Sequence, residues 1–206
     1  MSILFFANQG YAQQINSHLQ ANSTLQNHVS SILKENIKKI HAINGQIIIM
    51  DCKSGEIKAM VNLMNTKAGI KPTIRQLSEP TALMRAVSLL AALEQGKVKP
   101  NDSIDTKAGM LDINGYLLKD YNWLRGGNGK TSVQQGFLLS SNIATYLTVK
   151  QAFGKEYDRF YKAITNMGYG LPQNSFKAIL PSPYNDISLA KFVNGKNQQI
   201  SPFIMP

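Results

Sequence analysis

The chain has a single cysteine, Cys52, in 206 residues. One thiol excludes an internal disulfide and cannot anchor a metal site by itself. It lies in a strand-like run between Met50 and Lys53 and is expected to be a buried structural thiol. Histidine is nearly as scarce. His18, His28 and His41 all fall in the N-terminal stretch, without partners at metal-ligand spacing and away from any candidate nucleophile. No Ser-His-Asp or Cys-His arrangement can be assembled, and no metal or cofactor is called for. Long apolar runs are also missing, so nothing approaches the ~20 residues of a membrane-spanning helix. Acidic residues are few, 12 Asp+Glu against 22 Lys+Arg, for a net charge of +10. That balance favours anionic partners: nucleic acid, a membrane surface or an acidic polymer. The basic residues are nevertheless spread along the chain. Lys34, Lys38 and Lys39 come nearest to a cluster and fit a solvated helix face.

What is present suits a globular protein: 43% of residues are hydrophobic and 17% charged. Residues 1–21 read as an N-terminal arm or the remnant of a signal segment. Ile3–Ala7 is apolar and Gly10–Gln14 resembles a signal-peptide exit, yet a basic n-region is lacking and the apolar stretch is shorter than the usual length of about 7–15. Residues 22–206 read as one domain. A helix is expected over 15–42, with Thr24 as a cap and Val29, Ile32, Leu33, Ile37 and Ile40 at helical spacing. Gly45–Asp51 reads as a buried strand, Lys53-Ser54-Gly55 as a turn and Glu56–Asn62 as the returning strand of a β-hairpin. Residues 65–80 look irregular. A second helix is expected from Thr81 to Gln95, stopped by Gly96, with Leu83, Met84, Val87, Leu90 and Ala91 as its apolar stripe. Gly109 and Gly115 mark turns in the loop that follows, and further helices are expected at 132–138, 141–153, 155–167 and 186–193.

Short chemical motifs carry little by themselves. Gly126–Thr131 looks like a phosphate-binding loop, but the position four residues before its Gly-Lys pair is Leu124 rather than glycine. Two Ser-x-x-Lys matches, Ser31–Lys34 and Ser188–Lys191, could pair a hydroxyl with a lysine one helical turn on. Patterns this short arise readily by chance.

A collective pattern is more specific. Asn44–Val61 resembles the first hairpin of penicillin-binding transpeptidases, with its hydrophobic strand ending in Asp, its Gly-Glu-Ile turn and its Ala-Met. Glu79-Pro80-Thr81-Ala82-Leu83-Met84-Arg85, running on to Ala91–Val98, resembles that family's active-site helix, which usually reads Glu-Pro-Gly-Ser-Thr-(aromatic or Met)-Lys. Ser140-Ser141-Asn142 is similar to its Ser-x-Asn motif, Gly168-Tyr169-Gly170 to its Gly-aromatic-Gly, and Ile187–Lys196 to the helix before its last motif. The resemblance implies an α+β, β-lactamase/transpeptidase-like fold: mostly helical, with an N-terminal β-hairpin and an incomplete central antiparallel sheet. An open strand in such a sheet is expected to be covered by helices, or paired by the N-terminal arm or a partner chain.

The departures from the family carry the functional expectation. Its nucleophilic serine aligns with Ala82 and its general-base lysine with Arg85. Alanine offers no nucleophile, and arginine does not release its proton. Thr81 and Ser88, the nearest hydroxyls, have no lysine one turn further on. The Lys-Thr/Ser-Gly motif does not appear after Ser-x-Asn within the 206 residues. The resemblance gives Ser140 and Asn142 a substrate-binding role; helix capping is the competing reading. A non-catalytic binding or regulatory protein of cell-wall synthesis is therefore expected, periplasmic or envelope-associated. Its partner would be a cell-wall peptide or another wall-synthesis protein, with β-lactam binding weak or absent and nucleic acid disfavoured. The alternatives are an active acyl-serine D,D-transpeptidase using another serine, and a basic nucleic-acid-binding module.

Overall fold

The structure is a computed structural model that describes residues 23–72, 79–170 and 183–199. The arm expected over 1–21 lies outside them. Two compact units emerge, one holding residues 23–72 and the other 79–170 with 183–199.

The first unit is a helix on a sheet. Helix α1 spans Ser23–Lys39. Strands β1 (Asn44–Met50), β2 (Ile57–Thr66) and β3 (Gly69–Pro72) form an antiparallel sheet in the order β1-β2-β3. Alternation along β2 puts Ala59, Val61 and Leu63 on the face that meets Val29, Leu33 and Ile37 of α1. Ile32 and Ile40, expected in the same helical stripe, are exposed instead. The stripe is thus narrower than its apolar spacing suggested, because a sheet contacts only one side of a helix.

The expected hairpin is present, with Ile48 opposite Met60, and residues 69–72 extend it by the strand read as irregular. Pro72 of β3 lies opposite Leu63, and Met60 stands three residues before Leu63 on β2. There a helix side chain takes the place of a strand: the Gln26 amide donates to Met60 O (2.6 Å) and accepts from Met60 N (2.9 Å). This meets the backbone demand of an uncovered edge with a covering helix. Cys52 is exposed, against expectation. β1 stops at Met50, and the Asp51 carboxylate accepts from Lys53 N and Ser54 N, so Cys52 falls in the turn.

The second unit is mostly helical. Its helices are α2 (Leu83–Glu94), α3 (Val133–Leu138), α4 (Asn142–Phe153), α5 (Tyr157–Asn166) and α6 (Asp186–Val193). Two small sheets accompany them: β4 (Ser103–Asp105) with β7 (Lys130–Ser132), and β5 (Met110–Ile113) with β6 (Tyr116–Lys119). Helix α4 is buried nearly all round, as expected of a central helix, and packs against α2, α3, α5 and α6. Phe160 sits edge-on to both Phe153 and Phe192, with ring centroids 5.3 and 6.1 Å apart, joining α4, α5 and α6. On α2 the buried face is Met84, Val87, Ser88, Ala91 and Ala92, whereas Leu83 and Leu90 of the expected stripe point to solvent.

Candidate functional site

Three segments distant in sequence meet in the second unit: the start of α2, the start of α4 and the end of α6. Each is shaped by local rules before any chemistry is considered. Helix α3 closes with Ser141 N donating to Gly136 O and Ser140 N to Phe137 O, both at 2.9 Å. This closure needs a left-handed residue, and Ser140 takes it with φ 55°. Ser141 then starts α4, its Oγ accepting from Ala144 N at 2.9 Å. The cap of α4 is thus Ser141, the middle residue of the Ser-Ser-Asn motif, and not Ser140 or Asn142.

Beneath this junction lies Asp120, 2% exposed, just after β6. Its carboxylate accepts from Ser141 Oγ (2.7 Å) and Ile143 N (3.0 Å). The first turn of α4 therefore presents two donors to a negative charge, the favourable arrangement for a helix N-terminus. Asn142 is fixed at several points. Its Nδ2 donates to Lys119 O (2.7 Å), its Oδ1 accepts from Arg85 Nη1 (2.8 Å), and its backbone O accepts from Asn194 Nδ2 (3.2 Å). Arg85 stands on the first turn of α2 and is half-buried. Burial pushes its guanidinium below the ordinary arginine value, and the charge of Asp120 opposes that push. Lys119, whose carbonyl holds Asn142, sends its ammonium over the Trp123 ring at 3.9 Å.

Ala82 is exposed and makes no side-chain cap bond for α2. Before it stands Thr81, with φ 47°, a conformation β-branched residues rarely adopt. Its N–H reaches Gly195 O at 3.2 Å. Gly195 must be glycine: a Cβ there would lie 2.2 Å from Thr81 O, and its own φ is +72°. Glu79 completes the corner by accepting from Asn197 N (2.9 Å) and Lys196 Nζ (3.2 Å). The Asn197 N–H and the Lys196 bond hold its carboxyl below the usual value.

The structure thus brings the two positions aligned with family nucleophile and base, Ala82 and Arg85, onto one helix start, with Arg85 bonded to Asn142. Ser140 is exposed, and its backbone closes α3. The other candidate hydroxyls are engaged elsewhere. Ser88 is buried and its Oγ donates to Val193 O at 3.3 Å. Ser31 donates to Asn27 O, and Ser188 forms a capping box with Asn185. Lys130 and Thr131 belong to β7, as a strand rather than a phosphate loop. Among the described residues no group of three His, Cys, Asp or Glu side chains could hold a metal ion, and no helix is long and apolar enough to cross a membrane. Sequence reasoning missed Asp120, Lys119 and Asn194; only Ser141 carried a signal, as a serine directly before an apolar helix.

Comparison with known proteins bears on the family and the fold. Residues 45–205, well over half of the chain, match the profile of the penicillin binding protein transpeptidase domain. A probable peptidoglycan D,D-transpeptidase, PbpC of Pseudomonas aeruginosa, is 29% identical over 98 residues, which is 43% of this chain and 17% of that protein. The fold superimposes on a peptidoglycan glycosyltransferase from Burkholderia ambifaria with a TM-score of 0.72 at 22% identity, covering 89% of this chain and 57% of the other. The transpeptidase domain of penicillin-binding protein 3 from Burkholderia pseudomallei gives 0.72 at 23%, covering 90% and 55%. The chain therefore spans under a fifth of the curated relative and little more than half of these solved chains. With an α+β fold of this kind, and a profile match over most of its length, the chain belongs to the penicillin-binding protein transpeptidase domain family.

Proposed function

We propose that this protein is a non-catalytic member of its family, with a binding or regulatory role in peptidoglycan synthesis at the cell envelope. The observation that carries the reading is the Arg85–Asn142 hydrogen bond beside Ala82. A transpeptidase of this family needs a serine to attack the acyl donor and a base to take its proton. At these two positions the chain has a methyl group and a cation that cannot accept a proton. The arginine also occupies the Asn142 carboxamide oxygen, while Lys119 O holds the amide nitrogen. Asn142 keeps a second lone pair on Oδ1 and a second N–H on Nδ2 for a ligand, and Ser140 is the more exposed of the two proposed substrate-binding residues.

The partner that suits this site is a cell-wall peptide, or a wall-synthesis protein presenting such a segment, held without bond formation. An NMR titration with a peptidoglycan stem peptide tests this. Shifts expected at the Ser140 amide and the Arg85 side chain, with no turnover of the peptide, support the reading. Release of the terminal residue of the peptide would overturn it in favour of an acyl-serine enzyme.

A further inference from the structure

The two ends of the sheet unit differ in chemistry. At one, the β1–β2 turn mixes signs, with Asp51 and Glu56 among Lys53 and Lys58, and Lys58 paired to Glu56. The other end is built from the close of α1, the start of β1 and the β2–β3 turn. Asn65 ties these together, its N–H donating to Ile43 O (2.7 Å) and its Nδ2 to Ala42 O (3.4 Å). The exposed side chains there include Lys38, Lys39, Ile40, His41, Ile43 and Lys67, and none between Asn36 and Met50 or between Ile57 and Pro72 is acidic. The nearest carboxylate on α1 is Glu35, one turn back.

Ile40 and Ile43 are 69% and 75% exposed. The backbone explains why they point outward. α1 closes with Ala42 N donating to Ile37 O (3.0 Å) and His41 N to Lys38 O (3.3 Å), and His41 takes the left-handed position with φ 53°. That reversal turns Ala42 towards the core and leaves the two isoleucines on either side of it in solvent. Geometry fixes their direction but does not call for isoleucine, since a polar residue would serve a solvated turn better.

We propose that this end docks onto an anionic lipid bilayer. Ile40 and Ile43 enter the boundary between headgroups and acyl chains, while Lys38, Lys39 and Lys67 lay their stems along it and hold headgroup phosphates. Charge complementarity selects the occupant. A soluble polyanion would engage the lysines yet offer the isoleucines no apolar medium, whereas an anionic bilayer satisfies both. The contact is small and therefore reversible. It rests on this unit alone and does not depend on whether the other unit is catalytic.

The test is co-sedimentation of the 206-residue chain with vesicles of phosphatidylcholine alone and of equimolar phosphatidylcholine and phosphatidylglycerol. Binding to the mixed vesicles only, weakened by added salt, is expected. Lys38→Glu/Lys39→Glu should lower the partition coefficient by roughly tenfold or more. Ile40→Ser/Ile43→Ser should lower it as clearly while leaving the circular dichroism spectrum and Tm unchanged, because both sites are exposed. No partition into the mixed vesicles would overturn the proposal. So would binding that the lysine pair abolishes and the isoleucine pair leaves intact, which would mark a surface for soluble polyanions.

Discussion

The starts of α2 and α4 lie side by side in one unit yet differ in how they are built. At α4 three polar side chains, those of Ser141, Asn142 and Asp120, are engaged. Ser141 caps the helix, Asp120 receives two donors, and Asn142 is held by Arg85 and Lys119. At α2 the cap residue is an alanine without a side-chain bond, a threonine sits at positive φ, and the helix begins in solvent. The resemblance places a glycine at Thr81, a serine at Ala82 and a lysine at Arg85. At the α2 start the side chains present suit the backbone poorly, while a connected set of hydrogen bonds holds the α4 junction.

That contrast can be broken or sharpened by substitution. The largest effect belongs to Asp120→Ala, which leaves the buried Ser141 hydroxyl and Ile143 N–H without an acceptor and Arg85 without a countercharge. A loss of about 4 kcal/mol is expected, measured by urea unfolding. Ser141→Ala removes the helix cap and one donor to Asp120, and should cost about 2 kcal/mol in the same assay. At α2 the sign reverses. Thr81→Gly relieves a β-branched residue at φ 47° and should stabilise the protein by about 1 kcal/mol. A destabilised Thr81→Gly would mean that the threonine contributes something the backbone does not reveal, and the contrast would fail.

The smallest effect is expected away from both helix starts, where Asp186 of α6 is bonded by Lys150 and by Tyr157 OH (2.8 Å). Burial alone would raise its carboxyl, but those two hydrogen bonds and the charge of Lys150 outweigh burial and hold it below the ordinary value. A depressed carboxyl stabilises the fold above its unfolded value, near ~3.9, and the gain is lost as pH falls through the folded value. Tm should therefore drop more steeply below about pH 4 in the wild type than in Asp186→Asn.

Much of the helical part was legible in the sequence, since the helices expected at 81–95, 132–138, 141–153, 155–167 and 186–193 correspond to α2–α6. The short strands were not. Gly69–Pro72 is a strand only because β2 offers an edge for it to pair with. The β5–β6 hairpin did leave a trace: Asn114-Gly115, with φ 51° and 87°, is the dipeptide a two-residue turn prefers. At the site, Ala82, Arg85, Ser140 and Asn142 could be picked out only through the resemblance to the family's motifs. Asp120 could not, because an acid in a loop looks alike whether a helix N-terminus buries it or water surrounds it. The same holds for Gln26, whose bond to Met60 joins residues far apart in the sequence.

The most direct test of the central claim is the intact mass of the wild-type protein after incubation with a penicillin, read beside Ala82→Ser/Arg85→Lys. The account predicts an unchanged wild-type mass, because on the proposed reading Ala82 and Arg85 supply neither nucleophile nor base. A wild-type mass increase of one β-lactam would contradict it, revealing a reactive serine that the arrangement of Ala82, Arg85 and Asn142 does not supply.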